Sequence, residues 1–279
     1  MYTEIQIRIK PEQAGVEETL RQIAARVAGV GAERICRVDI VRKSIDARQK
    51  EVMFNLVAGL HIDRIEEKEK VFVPAYRDVS DRETVVVVGA GPAGLFAALR
   101  LIERGFRPLV LERGKAVEDR KKDLNGLYKT GMVDEDSNFG FGEGGAGTFS
   151  DGKLTTGTHD PRRSYVMRTF VEAGAPEDIL WQHKPHVGTD LLRNVVRHLR
   201  EEIQNLGGEV RFGHCFSGLT VIGGHLEGIT VAEEQGKYDL PCDALVLAPG
   251  HSARDTFQML REAGAAMEQK PFAIGVRIE

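Results

Sequence analysis

The stretch TVVVVGAGPAGLFAALRLIERGFRPLVLE, residues 84–112, constrains the fold more than any other part of the sequence. Four consecutive valines are typical of a strand buried on both faces of a parallel sheet. Leu95, Leu99 and Ile102 follow at helical spacing, Gly105 is placed to end the helix, and PLVLE predicts a second strand. Because a strand, a helix and a parallel strand within about 30 residues form a βαβ unit, the sequence predicts an α/β fold with a Rossmann-like, doubly wound sheet.

The turn of this unit, GAGPAG at 89–94, fits the pattern G-x-G-x-x-G. In this pattern the first glycine permits a tight turn, the second lets a pyrophosphate approach the backbone, and the third lets helix and strand pack closely. Proline suits the first turn of a helix, whose free N–H groups attract phosphate. The predicted phosphate-binding residues are Gly89, Gly91, Pro92, Ala93 and Gly94.

Glu112 stands at the end of the second strand, 18 residues after Gly94. A carboxylate at this point can accept hydrogen bonds from ribose hydroxyls. Since NAD and FAD both carry an adenosine ribose, these residues alone leave the choice between the two cofactors open.

Residues 1–62 have the pattern of a separate small domain. Strand patterns in YTEIQIRI, RICRVDIVRKSID and EVMFNLVAGLHI, with a helical pattern in GVEETLRQIAARVAGV, predict the order β-α-β-β of a ferredoxin-like α+β domain. The charged segment 63–83 is predicted to be a linker, in which KVFVP (70–74) could add a short strand. Residues 84–279 are predicted to form the nucleotide-binding domain with part of a substrate domain.

A second glycine-rich stretch, NFGFGEGGAGTFSDGKL at 138–154, also contains G-x-G-x-x-G. No buried β-branched run precedes it, and TFSDGK is a poor start for a helix. It therefore lacks the context of a phosphate loop. Its glycines instead predict a flexible segment whose backbone can approach a flat or anionic group.

This stretch closely resembles a motif of the FAD-dependent, or NAD(FAD)-utilising, dehydrogenases of the glutathione-reductase-like flavoprotein superfamily. The resemblance extends to VRKSIDARQK, LERGKAVEDRKKD, EAGAPEDIL, KPHVGTDLL and PFAIGVRIE, and so covers nearly the whole chain. It implies that FAD is the cofactor and that the second glycine loop covers the flavin. The residues implied near the flavin are Gly144, Gly145, Ala146, Gly147, Thr148, Ser150, Asp151 and Lys153. Lys153 is a candidate for tuning the reduced flavin, and the alternative is that Asp151 and Lys153 lie in a solvated turn.

Two further features resemble the same superfamily. PCDALVLAPG (241–250) is similar to its strand followed by Ala-Thr-Gly, which implies that Ala248, Pro249 and Gly250 pass close to FAD, with Pro249 in place of threonine. Before it, a helix, a glycine turn, a strand and a meander follow in the expected order, and Phe216 takes the position that presents backbone to adenine. Arg113 is predicted to reach the adenosine.

Composition excludes several classes of protein. A net charge of −4 gives no reason to expect a nucleic-acid partner. The three cysteines form no C-x-x-C pair, which argues against a disulfide framework and a cysteine zinc site. No apolar segment is long enough to span a bilayer and the start is not a signal peptide, so we expect a cytoplasmic protein.

Three weaker signals have plain alternatives. His183 and His186 lack further ligands at compatible spacing, so no metal site is predicted. His251 is either an acid or base facing the flavin or a surface residue. Arg120 and the two lysines after it are interpreted as a solvated helix face.

The predicted function is an oxidoreductase that transfers hydride through bound FAD, with an unassigned small-molecule substrate and unassigned catalytic residues. Because no second nucleotide-binding unit occurs in the sequence, the electron donor is expected to be transient NAD(P)H or a protein. The alternative is a flavin-binding interaction or redox-sensing protein without turnover. The superfamily's late strand ending in Gly-Asp or Gly-Glu is not found, and AIGVRIE (273–279) has the pattern of an unfinished strand. We therefore expect the sequence to be part of a longer chain.

Overall fold

A computed structural model describes residues 1–66, 72–149, 152–154, 156, 158, 160, 162–271 and 275. Ser150, Asp151, most of the strand predicted at 273–279 and the first two residues of KVFVP lie outside the described residues. The chain divides into two compact units: unit 1 comprises 1–74 and 151–195, and unit 2 comprises 75–150 and 196–279.

Unit 1 begins with a three-stranded antiparallel sheet of order β1-β3-β2. Its elements are β1 (Tyr2–Ile9), α1 (Pro11–Ala14), α2 (Glu17–Ala28), the 3-10 helix η1 (Ala32–Arg34), β2 (Ile35–Asp46) and β3 (Met53–Ile62). Alternate residues of β1 and β3, among them Ile7, Leu56 and Leu60, pack against Leu20 and Ala24 of α2. The order β-α-β-β is the one that the sequence predicts, whereas the ferredoxin-like assignment stays a prediction.

Residues 151–195 belong to unit 1, although the sequence places them with the nucleotide-binding domain. This segment contains α5 (Arg162–Glu172), the 3-10 helix η3 (Glu177–Leu180) and the start of α6 (Thr189–Asn205). Backbone hydrogen bonds tie it to β2: Lys43 donates to Trp181 at 2.8 Å, and His183 donates to Lys43 at 2.9 Å. No local sequence pattern predicts that this segment pairs with the edge strand β2.

Unit 2 is built on a four-stranded parallel sheet of order β10-β4-β5-β6. Its elements are β4 (Thr84–Val88), α3 (Pro92–Arg104), β5 (Arg107–Glu112), α4 (Val117–Thr130), the 3-10 helix η2 (Ala146–Phe149), β6 (Glu209–Phe212) and β10 (Leu245–Leu247). From β4 the chain adds β5 and β6 on one side and returns to add β10 on the other. This order confirms the Rossmann-like α/β fold and creates a switch point at the carboxyl ends of β4 and β10.

A second, antiparallel sheet of unit 2 consists of β7 (Cys215–Ile222), β8 (His225–Glu233) and β9 (Gly236–Pro241), and α7 (Arg254–Glu262) follows β10. The sequence predicts one strand over EVRFGHCFSGL, but the structure divides it between β6 and β7. The break falls at Gly213, whose φ of +70° is a left-handed conformation that interrupts a strand. Phe216, Ile229 and Val231 of the meander share a core with Leu109 and Leu111 of β5.

Among the described residues, no helix combines the length and the apolar character that crossing a membrane requires.

Candidate cofactor-binding site

A cavity of about 440 Å³ lies in unit 2 at the carboxyl ends of β4, β5 and β10. Open α/β sheets bind ligands at this edge, next to a switch point. The sequence-predicted residues that line the cavity are Gly89, Gly91, Pro92, Ala93, Glu112, Arg113, Gly145, Ala146, Phe216, Ala248, Pro249 and Gly250. Residues separated by up to 161 positions, from Gly89 to Gly250, thus meet in one cavity.

The three glycines of the first loop are required for three different reasons. Gly89 has φ +98°, and a Cβ there would overlap the carbonyl oxygen of Ala248. A Cβ on Gly94 would overlap the carbonyl oxygen of Gly89, so this position fixes the close packing of α3 on the turn. A Cβ on Gly91 would meet nothing nearer than Gly145 Cα at 3.9 Å, and this residue lines the cavity. Gly91 therefore leaves room for a ligand rather than for neighbouring protein.

The amino terminus of α3 supplies unpaired donors at the same place. Gly91 is the N-cap, without a side-chain cap, and its carbonyl accepts the N–H of Leu95 at 3.0 Å. Within the described chain, the N–H groups of Ala93 and Gly94 donate to no protein acceptor. Free N–H groups and the positive end of the helix dipole make this terminus suitable for phosphate.

The second glycine loop lies directly on the first. Gly144 donates its N–H to the carbonyl of Ala90 at 2.8 Å. A Cβ on Gly145 would lie 3.4 Å from Pro92 Cδ and 3.5 Å from Gly91 Cα. No strand precedes the loop among the described residues 131–145, which separates it from a phosphate loop. The two glycine motifs of the sequence thus form one wall of a single site.

Glu112 is buried, and its carboxylate joins three pieces of backbone. One oxygen accepts the N–H of Ala90 at 2.8 Å, and the other accepts those of Gly114 at 2.9 Å and Gly142 at 3.0 Å. A carboxylate can accept about four hydrogen bonds. Glu112 therefore holds the two glycine loops together and has about one acceptor position left; its predicted contact with a ribose hydroxyl stays a prediction.

Arg113 is held in place by two carboxylates. It forms ion pairs of 2.9 Å with both Asp136 and Asp255, and its guanidinium carbon lies 4.4 Å from the ring centroid of Phe141. The hydrogen bond that Arg113 donates to Asp255 lowers the pKa of the Asp255 carboxyl group. Arg113 lines the cavity with both ion pairs formed. Its predicted contact with adenosine stays a prediction.

The remaining predicted site residues do not line the cavity. Gly94 and Gly144 are buried or packed behind it, Gly147 and Thr148 belong to η2, and the Thr148 hydroxyl is buried without a partner among the described residues. Lys153 belongs to unit 1, where it forms an isolated antiparallel bridge with His186. Its predicted role beside the flavin stays a prediction. His251 lines the cavity directly after Gly250.

Sequence reasoning missed two buried ionisable residues, Arg120, which packs on the second glycine loop, and Glu143, which belongs to that loop. Arg120 has no solvent exposure, so its assignment to a solvated helix face is wrong. Glu143 is also fully buried and accepts hydrogen bonds from Val117 N–H at 2.8 Å and from Arg200 Nη1 at 2.9 Å. The only sequence signal was the glycine-rich context of Glu143, because a lone arginine in a charged helix is usually exposed.

Burial raises the pKa of Glu143 from 4.5 to about 7. The Val117 N–H and Arg200 favour the charged form, but the loss of hydration outweighs them. Arg200 is shared with Glu118, whose Oε1 lies 2.7 Å from the guanidinium. The base of the loop therefore contains a carboxyl group that titrates near neutral pH.

The described residues contain no group of three histidine, cysteine, aspartate or glutamate side chains arranged to bind a metal ion.

Two protein families match parts of the chain. Residues 1–60 match a family described as a domain of unknown function (DUF8436). Residues 84–119, which contain the first glycine loop, Glu112 and the start of α4, match the family described as FAD binding domain. This match confirms the prediction that the cofactor is FAD.

An uncharacterized protein of Clostridium beijerinckii is 41% identical over 294 residues, covering 98% of this chain and 54% of its own length. The chain thus spans about half the length of the curated relative it matches. Similar solved structures include a flavocytochrome c3 fumarate reductase (18% identity, 66% of this chain and 41% of that chain, TM-score 0.45). The structure of Thermovibrio ammonificans THI4 is 17% identical in sequence, and the match covers 66% of this chain and 64% of that chain with a TM-score of 0.41.

Proposed function

We propose that the chain is the FAD-binding part of an oxidoreductase that transfers hydride through the flavin. The observation that carries this proposal is the cavity at the switch point of the parallel sheet, where both glycine loops meet. Free backbone N–H groups, glycines without side chains and apolar walls combine there. These features suit a cofactor that has a pyrophosphate, a ribose and flat aromatic rings.

The site can be assigned residue by residue to the parts of FAD. The N–H groups of Ala93 and Gly94, with the open space at Gly91, would hold the pyrophosphate. Glu112 would accept a ribose hydroxyl. The adenine end is assigned to Phe216 and Arg113 and the flavin end to Gly145, Ala146, Ala248, Pro249 and Gly250. Gly144, Gly147 and Thr148 would support the flavin wall, and Lys153 remains the proposed tuning cation.

Bound FAD would supply the hydride-accepting ring, and the chain would supply position and electrostatics. The glycine loops would bring backbone N–H groups to the cofactor without intervening side chains. His251, at the edge of the cavity, is the proposed proton carrier beside a substrate. The electron donor is proposed to be NAD(P)H or a protein, and the substrate a small molecule. The proposed location is the cytoplasm, and unit 1 is proposed to contain a ferredoxin-like domain.

The test is the visible spectrum of the purified chain, saturated with FAD, before and after anaerobic addition of NADPH. We expect an oxidised-flavin spectrum that bleaches with NADPH. A flavin spectrum that NADPH and protein donors leave unchanged would favour the alternative, a flavin-binding sensor or interaction protein. Failure to bind FAD at all would overturn the proposal.

A matched pair of glycine variants makes this test specific to the cavity. Gly91→Ala adds a methyl group into space that the fold leaves open, so it should fold and lose most FAD binding. Gly126→Ala in α4 meets no neighbouring atom within 4 Å and should retain FAD binding. Equal FAD binding by both variants would contradict the assignment of the cavity.

A further inference from the structure

Arg120 of α4 is a fully buried arginine whose hydrogen bonds all go to the second glycine loop. Its two terminal nitrogens donate to four backbone carbonyls: Asn138 (2.8 Å), Gly142 (3.3 Å), Glu143 (2.5 Å) and Gly145 (3.0 Å). Its guanidinium carbon lies 4.9 Å from the ring centroid of Phe149. One side chain thus fixes the direction of four peptide groups over eight residues of a glycine-rich segment.

The Arg120 charge is not neutralised by contact with an acid. Among the described residues no carboxylate lies within ion-pair distance, and Glu112, Glu143 and Asp123 act on the guanidinium only through longer-range attraction. Burial lowers the pKa of Arg120 to about 10, which leaves it protonated at neutral pH. Burying a cation is costly unless its donors are satisfied. Here loop carbonyls accept from both terminal nitrogens, while Nε has no partner among the described residues, so the cation depends on the loop conformation for its hydrogen bonds.

This arrangement orients one peptide group at the cavity. The carbonyl of Gly145 points to Arg120, and in a planar trans peptide the N–H of Ala146 points the opposite way. That N–H has no acceptor in the described part of the chain, and both residues line the cavity. Arg120 in turn requires glycine at position 142, because the arginine stem occupies the space where a Cβ of residue 142 would be.

We propose that Arg120 is a positioning residue for the flavin cofactor. It holds the second glycine loop by its carbonyls so that the Gly145–Ala146 peptide presents its N–H to an electron-rich oxygen or nitrogen of FAD. The inference rests on the proposed function, since it assumes FAD in the cavity of unit 2. Glu112 acts on the same loop from the other side, by accepting the N–H of Gly142.

The experiment compares Arg120→Lys and Arg120→Met with Lys121→Met, an exposed neighbour on the same helix. FAD dissociation constants are measured by flavin fluorescence from pH 6.5 to 9, with circular dichroism at each pH. We expect Arg120→Met to bind FAD at least about 100-fold more weakly than the wild type. Arg120→Lys should bind FAD about 10-fold more weakly than the wild type at pH 6.5, and its affinity should fall further at pH 9. The reason is that burial lowers the pKa of a lysine, so the substituted side chain loses its charge as the pH rises. Wild type and Lys121→Met should show neither loss.

Hydrogen exchange of residues 140–147 in the cofactor-free protein provides a second readout if Arg120→Met folds poorly. Faster exchange in folded Arg120→Lys than in Lys121→Met would support the positioning role. Wild-type FAD affinity in Arg120→Lys at every pH, or a loss that only follows the unfolded fraction, would overturn it. If the wild type itself fails to bind FAD, the proposed function fails as well, and that result is distinct from failure of the variants alone.

Discussion

Replacing Glu143 with glutamine should remove a pH dependence of stability that originates beneath the second glycine loop. Burial raises the pKa of Glu143 to about 7 in the folded state, whereas the unfolded group titrates near 4.5. Between these values the folded protein binds the proton more tightly than the unfolded chain does. The stabilisation from this proton is therefore complete below pH 4.5 and is lost as the pH rises through about 7.

The size of the effect follows from the two pKa values. One pKa unit corresponds to about 1.4 kcal/mol, so the full difference amounts to about 3 kcal/mol. Between pH 5 and pH 8 roughly 2.5 kcal/mol of this should appear in the free energy of unfolding. That is a large share of the roughly 5–15 kcal/mol by which folded proteins are stable.

The assay is urea unfolding followed by far-ultraviolet circular dichroism at several pH values. We expect the wild type to lose about 2 to 3 kcal/mol more than Glu143→Gln between pH 5 and pH 8. Glu118→Gln is the matched control, because Glu118 shares Arg200 but its pKa is lowered, mainly by the hydrogen bond from Arg200. A carboxyl of this kind loses its own contribution only below pH 4.5, and because the Glu118 charge is a minor cause of the raised Glu143 pKa, the control should keep most of the wild-type pH dependence. Parallel pH profiles for wild type and Glu143→Gln would refute the reasoning.

Three further predictions concern other positions. Gly94→Ala should destabilise unit 2 by more than about 3 kcal/mol in urea unfolding, because the new methyl group overlaps the Gly89 carbonyl; an unchanged midpoint would contradict the packing. Cys215 lines the cavity, and burial raises the pKa of its thiol. Alkylation of Cys215, mapped by mass spectrometry, should therefore be slow, and bound FAD should slow it further. An alkylation rate that FAD leaves unchanged would count against the site. Asp39→Asn should remove an acid-induced loss of stability, because burial raises the Asp39 pKa but the hydrogen bonds and charges of His61 and Arg37 together outweigh burial and lower it; Trp181 fluorescence of unit 1 against pH measures the loss, and a wild-type profile would disprove the prediction.

Much of unit 2 could be predicted because its signals are local. The valine run, the three glycines and Pro92 specify a strand, a tight turn and a helix start within a few residues of one another. The structure has these elements at the predicted places. It also has the β-α-β-β order of residues 1–62, since alternating and helical periods are properties of short segments.

The second glycine loop shows where local signals stop. Its glycines predicted a backbone that could approach a ligand, and Gly145 does line the cavity. The side chain that fixes this loop, Arg120, belongs to α4 and stands 18 residues before Asn138, in a run with two lysines that favours solvent. Whether an arginine in such a run is buried depends on which distant segments of the chain pack against the helix.

The sequence by itself determined the βαβ unit and the first glycine loop, because each depends on residue types at short, fixed spacing, whereas the choice of FAD rested on the resemblance of the wider chain to a flavoprotein family. Only the tertiary structure decided that residues 151–195 pack with unit 1, that a strand breaks at Gly213, and that Arg120 and Glu143 are buried. These outcomes depend on contacts between segments that are distant in the chain. Desolvation, which raises the pKa of Glu143 and makes Arg120 depend on loop carbonyls, exists only once those segments have come together.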